Sequence, residues 1–177
     1  MEREDVRDLK PLIEIRDMEI DDLPAVFHLG EKVFTAEVPN LYRTWDEYEV
    51  TGLFHTESDL CLVAEDRQTG NLAGFAMGTT VSKPRSAWTY GYVVWMAVDP
   101  RYQKRRVGER LVNRLVQRMA DEGVRIVMVD TDADNEAALR FFRSLGFEQP
   151  RAHVYLSMNL DELRERRRRR RDHHEAR

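Results

Sequence analysis

Two largely apolar runs, Tyr90–Val98 and Val124–Val129 (interrupted by Arg125), bracket an amphipathic stretch from Val107 to Glu122. In that stretch Val107, Leu111, Leu115 and Met119 recur at every fourth position, with Arg110, Arg114 and Arg118 on another face. The spacing predicts a helix with one buried stripe, and Gly123 suits its C-cap. A strand, a helix and a second strand in succession form a βαβ unit, whose two strands run parallel. The near-continuous apolarity of Tyr90–Val98 predicts burial on both of its faces. The fold class expected is therefore α/β.

Other segments read around this unit. Leu12–Arg16 alternates as a strand does. Asp21 and Asp22 precede Leu23 and Pro24, which predicts an acid-capped helix running to about Thr35. A second helix is expected from Trp45 to His55. Leu60–Glu65 and Leu72–Val81 flank the turn-forming run Asp66–Asn71, so a hairpin is expected. A helix is expected over Glu136–Leu145, closed by Gly146. A strand is expected to start at Phe147 and a last one to cover Val154–Leu160. The 177 residues suit one domain over 12–160, with a polar arm at 1–11 and an Arg-rich tail at 161–177.

Several classes are excluded early. Apolar residues make up 42% and charged residues 34% of the chain, a balance that suits a packed core and not a disordered chain. The longest uncharged run, Gln68–Ser82, has 15 residues, short of the 18 or so that a spanning helix needs, so no membrane partner is expected. The charged start Met1-Glu2-Arg3-Glu4-Asp5 lacks the apolar core of a secretory signal. Cys61 is the only cysteine, which fits a reducing, cytoplasmic compartment. Its apolar neighbours Leu62, Val63 and Ala64 make it a core residue and not a nucleophile. No Gly-x-Gly-x-x-Gly follows a strand, which argues against a dinucleotide dehydrogenase.

The net charge of −4 conceals an uneven distribution: residues 1–60 carry 6 basic and 16 acidic side chains, whereas residues 101–118 carry 7 and 1. This pattern suits an anionic ligand in the middle of the chain and a cationic one against the N-terminal third. Between the apolar run and the helix lies the loop Asp99-Pro100-Arg101-Tyr102-Gln103-Lys104-Arg105-Arg106. A helix N-terminus presents unpaired N–H groups and positive potential, so a basic loop entering a helix is suited to phosphate. Gly108, in the first turn, lets a ligand approach the backbone.

This stretch resembles motif A of the GNAT superfamily of N-acetyltransferases, whose pattern is Val-x-Pro-x-Tyr-Gln-x-x-Gly-x-Gly-x-x-Leu. Downstream, Asn135-Glu136-Ala137-Ala138-Leu139-Arg140-Phe141-Phe142-Arg143-Ser144-Leu145-Gly146-Phe147 is similar to motif B of the same superfamily. The resemblance covers residues 12–160. It implies a mixed, mostly antiparallel sheet with a central parallel strand pair splayed around the cofactor and flanked by helices. It also implies acetyl-CoA as cosubstrate. The pantetheine arm would pair with main-chain groups of Met96, Ala97 and Val98, and Asn135 would face it. The pyrophosphate would sit on the N–H groups of Lys104, Arg105, Arg106, Val107, Gly108 and Glu109. A primary amine would attack the thioester directly in a ternary complex, its carbonyl polarised by a backbone donor at Val98.

Two positions depart from the superfamily pattern. Arg106 replaces the first glycine of motif A, and Phe142 replaces a tyrosine that protonates the leaving thiolate, which leaves that role to water or another tyrosine such as Tyr155, or leaves the thiolate to depart without an acid. Asp130, just after the second apolar run, matches a glutamate base of ribosomal-protein N-terminal acetyltransferases and is the candidate general base. Asp132 shares its strand face, while Asp134 and Asn135 suit a helix cap. His153 is a weaker base candidate. No metal site is expected.

The acidic N-terminal third implies a cationic amine acceptor, a small molecule or a protein amine, and similar proteins are often homodimers. Two alternatives stand beside acetyl transfer. One is a protein of this fold that binds an acyl-CoA without turnover. The other is attachment to nucleic acid or ribosome through the seven arginines of Arg164–Arg171. A solvated helix end explains those arginines as well, so nucleic acid is not the expected partner.

Overall fold

Strand β1 (Ile13–Asp17) opens a five-stranded sheet in the computed structural model, which describes residues 12–34, 45–82, 88–151 and 158–165. Helices α1 (Leu23–Val33) and α2 (Glu47–Thr56) follow it. Then come strands β2 (Cys61–Asp66), β3 (Asn71–Ser82) and β4 (Thr89–Val98), helix α3 (Val107–Asp121), strand β5 (Ile126–Val129) and helix α4 (Glu136–Ser144). The strands lie in chain order. The first four pair antiparallel, and β4 pairs with β5 in parallel, as the intervening helix requires. The chain divides into two units after Phe147.

Strand alternation sends side chains to two faces, and each face has its own core. On one, the stripe Val107, Leu111, Leu115 and Met119 of α3 packs on Leu62, Ala64, Ala76 and Val93. On the other, Val26 and Leu29 of α1 and Val50 of α2 cover Val63, Phe75, Met77 and Trp95. Complete burial of each Leu, Val or Met in these layers stabilises by roughly 1.5–3 kcal/mol. Strand β4 is not buried on both faces: Gly91 and Val93 are buried on the α3 side, whereas beyond Val94 the buried residues are Trp95 and Ala97 on the side of α1 and α2, and Met96 and Val98 on the α3 side are half-buried. In β5, Ile126 and Met128 are exposed, because no helix of the described residues covers that end of the second face.

Asp22 does not cap α1. It has helical backbone angles itself and makes no side-chain cap bond. Its carboxylate instead accepts from the Glu19 N–H (2.8 Å) and takes a forked bond from Arg16 (2.6 and 2.8 Å), whose Nε reaches Glu65 at 2.7 Å. Asp46 is the cap of α2, accepting from the Glu49 N–H at 2.8 Å.

Arg16 holds both the Asp22 and the Glu65 carboxyls below the ordinary carboxylate range through its hydrogen bonds, against the opposing effect of their partial burial. A carboxyl depressed in the folded state contributes stability that is complete above its unfolded value and is lost as pH falls through the lowered one. The melting-temperature gap between wild type and Arg16→Met is thus expected to be full at neutral pH and to shrink below about pH 4. A gap independent of pH would contradict this role.

No strand begins at Phe147, and residues 147–151 are irregular. In the second unit, Asn159 accepts from the N–H groups of Asp161 (3.0 Å) and Glu162 (3.3 Å), starting a helix over 160–165. The strand expected to end at Leu160 therefore gives way to a capped helix there. The rest of that strand, with His153 and Tyr155, lies outside the described residues, as do the arm at 1–11 and the arginines from Arg166 onward. No helix among the described residues is long and apolar enough to cross a membrane.

Candidate functional site

The parallel ladder is short. It runs from Tyr90 opposite Ile126 to Val93 opposite Val129 and stops, while β4 continues to Val98 against β3. The register between β3 and β4 shifts at the same place, Met77 facing Trp95 and Gly78 facing Val93, so Val94 is the extra residue of a bulge. A bulge bends the strand that carries it. It accounts for β4 leaving β5, and a gap opens at the carboxyl end of the pair, where open α/β sheets place ligands. Along it Met96, Ala97 and Val98 present a strand edge that has no strand partner on the β5 side among the described residues.

The loop after β4 is pinned at its root. The Asp99 N–H donates to Ala73 O (3.0 Å), and the Tyr102 hydroxyl donates to the buried Asp66 carboxylate (3.0 Å). Asp99 accepts from the Arg101 N–H and from its guanidinium (2.9–3.0 Å), and those bonds hold the Asp99 carboxyl below its usual range. Lys104, Arg105 and Arg106 are exposed. The first ladder bond of α3 runs from the Arg110 N–H to Arg106 O (3.0 Å), so the N–H groups of Val107, Gly108 and Glu109 precede the ladder.

Arg106 has φ 60° and ψ 17°, the left-handed region that disfavours side chains other than glycine's. A glycine at this position would adopt these angles without crowding. The Arg106 guanidinium turns onto the Glu109 carboxylate with bonds of 2.7 and 2.6 Å. This pair raises the Arg106 value and lowers that of Glu109. Arg106→Gly loses this exposed ion pair but relieves the backbone crowding, the larger effect, and is expected to raise the melting temperature by about 2 °C. Arg106→Ala keeps the crowding, loses the ion pair and is expected to lower it. Shifts of the same sign in both variants would contradict a strained turn.

The space beside Gly108 is filled by protein. A Cβ there would lie 2.7 Å from Met96 Cε and 3.3 Å from Phe141 Cζ, so the absence of a side chain lets α3 approach β4 and α4. Asn135 is the cap of α4, its Oδ1 accepting from the Ala138 N–H at 3.1 Å. Asp134 does not fill that position. Phe142 stacks edge-on with Phe141 and Phe147, with ring centres 5.1 and 5.5 Å apart.

Asp130 follows β5 directly, at the closed end of the gap, and accepts a hydrogen bond from the Tyr92 hydroxyl. Tyr92 faces Met128 across the parallel pair and Thr79 across the antiparallel one. The Thr79 hydroxyl donates to Glu57 Oε1 at 2.6 Å. Glu57 and Asp130 therefore flank one row of the sheet. Neither Tyr92 nor Glu57 stood out in the sequence. Tyr92 could have been found by pairing the two apolar runs in register from Asp130 backwards, but Glu57 sits between elements and carries no such signal. Burial, with the Glu57 charge adding to it, pushes the Cys61 thiol up to about 12, which excludes it as a nucleophile at neutral pH. A separate cavity of about 170 Å³ lies between Lys32, Leu72 and Arg101 and contains none of the residues expected to bind a cofactor.

Residues 19–147 match the model of the acetyltransferase (GNAT) family. The chain is 26% identical over 135 residues to the ribosomal protein bS18 alanine N-acetyltransferase of Escherichia coli K12, covering 76% of this chain and 80% of that one. It is 34% identical over 94 residues to the mycothiol acetyltransferase of Thermobifida fusca, covering 49% of this chain and 28% of that one. Among solved structures, an aminoglycoside acetyltransferase from an uncultured soil metagenomic sample superimposes with a TM-score of 0.65 at 23% identity, covering 83% and 97% of the two chains. The NatC complex bound to Gag peptide and CoA does so with 0.66 at 20% identity, covering 78% and 86%. The family pattern spans the parallel pair, the basic loop and the helix after it, and the chain belongs to the acetyltransferase (GNAT) family.

Proposed function

We propose that this acetyltransferase moves an acetyl group from acetyl-CoA to a cationic primary amine by direct attack in a ternary complex. The observation that carries the reading is the gap between β4 and β5 ending in a basic loop at the N-terminus of α3. An anionic, extended cosubstrate fits these residues. The edge of Met96, Ala97 and Val98 suits an amide-bearing arm, which Asn135 at the start of α4 would face. The N-terminal N–H groups from Lys104 to Glu109 suit a pyrophosphate. Lys104 and Arg105, exposed and without a carboxylate partner among the described residues, add charge. When bound, acetyl-CoA supplies the activated acyl group.

Asp130 is the base in this reading, standing where the gap closes and taking the proton that the attacking nitrogen gives up. The acidity of residues 1–60 and the Glu57 carboxylate beside Thr79 favour a positively charged acceptor. The E. coli relative acts on a protein alanine and the metagenomic neighbour is an aminoglycoside enzyme, so protein and small-molecule amines both belong in the test. Free thiol released from acetyl-CoA is measured against a panel of peptides, aminoglycosides and polyamines. Amine-dependent release is expected. Tight CoA binding with no release for any amine would instead support a binder without turnover.

A further inference from the structure

We propose that the Tyr92 hydroxyl is the proton donor to the departing thiol sulfur and that Asp130 recharges it. The inference rests on the acetyl-transfer reading and adds the acid which that reading lacks. Phe142 has no proton to give and is packed against two other rings. The tyrosines can be taken in turn. Tyr102 is buried, 7% exposed, and its hydroxyl is committed to Asp66 at the root of the loop. Tyr48 is 87% exposed on α2. Tyr90 lies on the same face of β4 as Tyr92 but two residues further from the gap, about 7 Å. Tyr42 and Tyr155 lie outside the described residues. Tyr92 is the described hydroxyl at the point where the parallel ladder closes.

Strand dimensions agree with this placement. From Val98 back to Val94 is four residue steps, about 14 Å. An extended arm anchored by phosphates at the loop end and laid along Met96–Val98 therefore brings its far end to Val93 and Val129, the last ladder pair. Tyr92 and Asp130 are hydrogen-bonded there. A tyrosine that already donates to a carboxylate can pass one proton on and recover another without side-chain rearrangement.

The protons balance as follows. The acceptor enters as an ammonium ion and gives one proton to Asp130, which leaves the neutral amine. As the nitrogen–carbon bond forms and the carbon–sulfur bond breaks, with its electron pair left on sulfur, the surplus proton on nitrogen passes to water. Tyr92 gives its hydroxyl proton to sulfur and takes the proton held by Asp130. Both residues end in their starting states, and the thiol leaves neutral.

The test reads the thiol itself in the complex with CoA, where no acceptor is needed. A hydroxyl donor stabilises a thiolate, so the ultraviolet thiolate absorption of bound CoA is expected to appear about one pH unit higher in Tyr92→Phe than in wild type. Turnover of Tyr92→Phe should fall about 10²-fold with the KM for acetyl-CoA unchanged. Combining it with Asp130→Asn should cost no more than the worse single change. Identical thiol titrations in wild type and Tyr92→Phe, or a shift produced by Tyr155→Phe instead, would overturn the proposal. Failure of the wild type to bind CoA would overturn the acetyl-CoA reading, and this one with it.

Discussion

Asp130→Asn is expected to lower amine acetylation by about 10²–10⁴-fold while leaving CoA affinity nearly unchanged. The substitution keeps the size of the side chain and its capacity to accept from Tyr92, and removes only its basicity. Asp130 is exposed at the end of β5, so little packing is lost. Since the function missing in the variant is removal of a proton, the deficit should narrow as pH rises and more of the amine is neutral unaided. Steady-state rates from pH 6 upwards, with calorimetric CoA titrations on the same protein, check both halves. Near-normal turnover at neutral pH would move the role to Asp132 or to an ordered water.

Phe75→Ala is expected to cost about 3–5 kcal/mol of stability, a fall of roughly 10 °C in melting temperature. Phe75 is fully buried in β3, between two strands, and its ring meets Trp45 at 5.5 Å and Phe34 at 6.4 Å. The side chains around it, Val26, Leu29 and Trp95 among them, are buried in the same layer, so truncation leaves a cavity among them. Phe75 also faces Ala97 across the strand pair. The loss should therefore weaken CoA as well, by loosening the wall along which Met96–Val98 lie. Denaturant unfolding of both proteins measures the first effect, and a loss below about 1 kcal/mol would show that this cluster repacks.

The βαβ unit was legible in the sequence because its signals are local: a four-residue apolar repeat, a glycine at its end and two apolar runs beside it. The hairpin and α2 were legible for the same reason. What escaped depends on contacts between distant segments. Asp22 looks like a cap until Arg16 and Glu65 are brought beside it. The bulge at Val94 follows from the register of β3 against β4, which no single strand records. Tyr92 meets Asp130 only once Val93 is opposite Val129. Phe147 is apolar enough for a strand, but the Gly146 turn, with φ 90°, directs the Phe147 N–H back onto Phe142 O, and residues 147–151 are irregular. Of the loop, its charge could be read in advance. Its left-handed Arg106, held to Glu109, could not.

Amide chemical shifts recorded as CoA is added to isotopically labelled protein test the central claim most directly. The account expects the largest changes at Met96, Ala97 and Val98 and from Lys104 to Glu109, with β1 and β2 undisturbed. Changes gathered instead around Lys32, Leu72 and Arg101, the walls of the separate cavity, would contradict it.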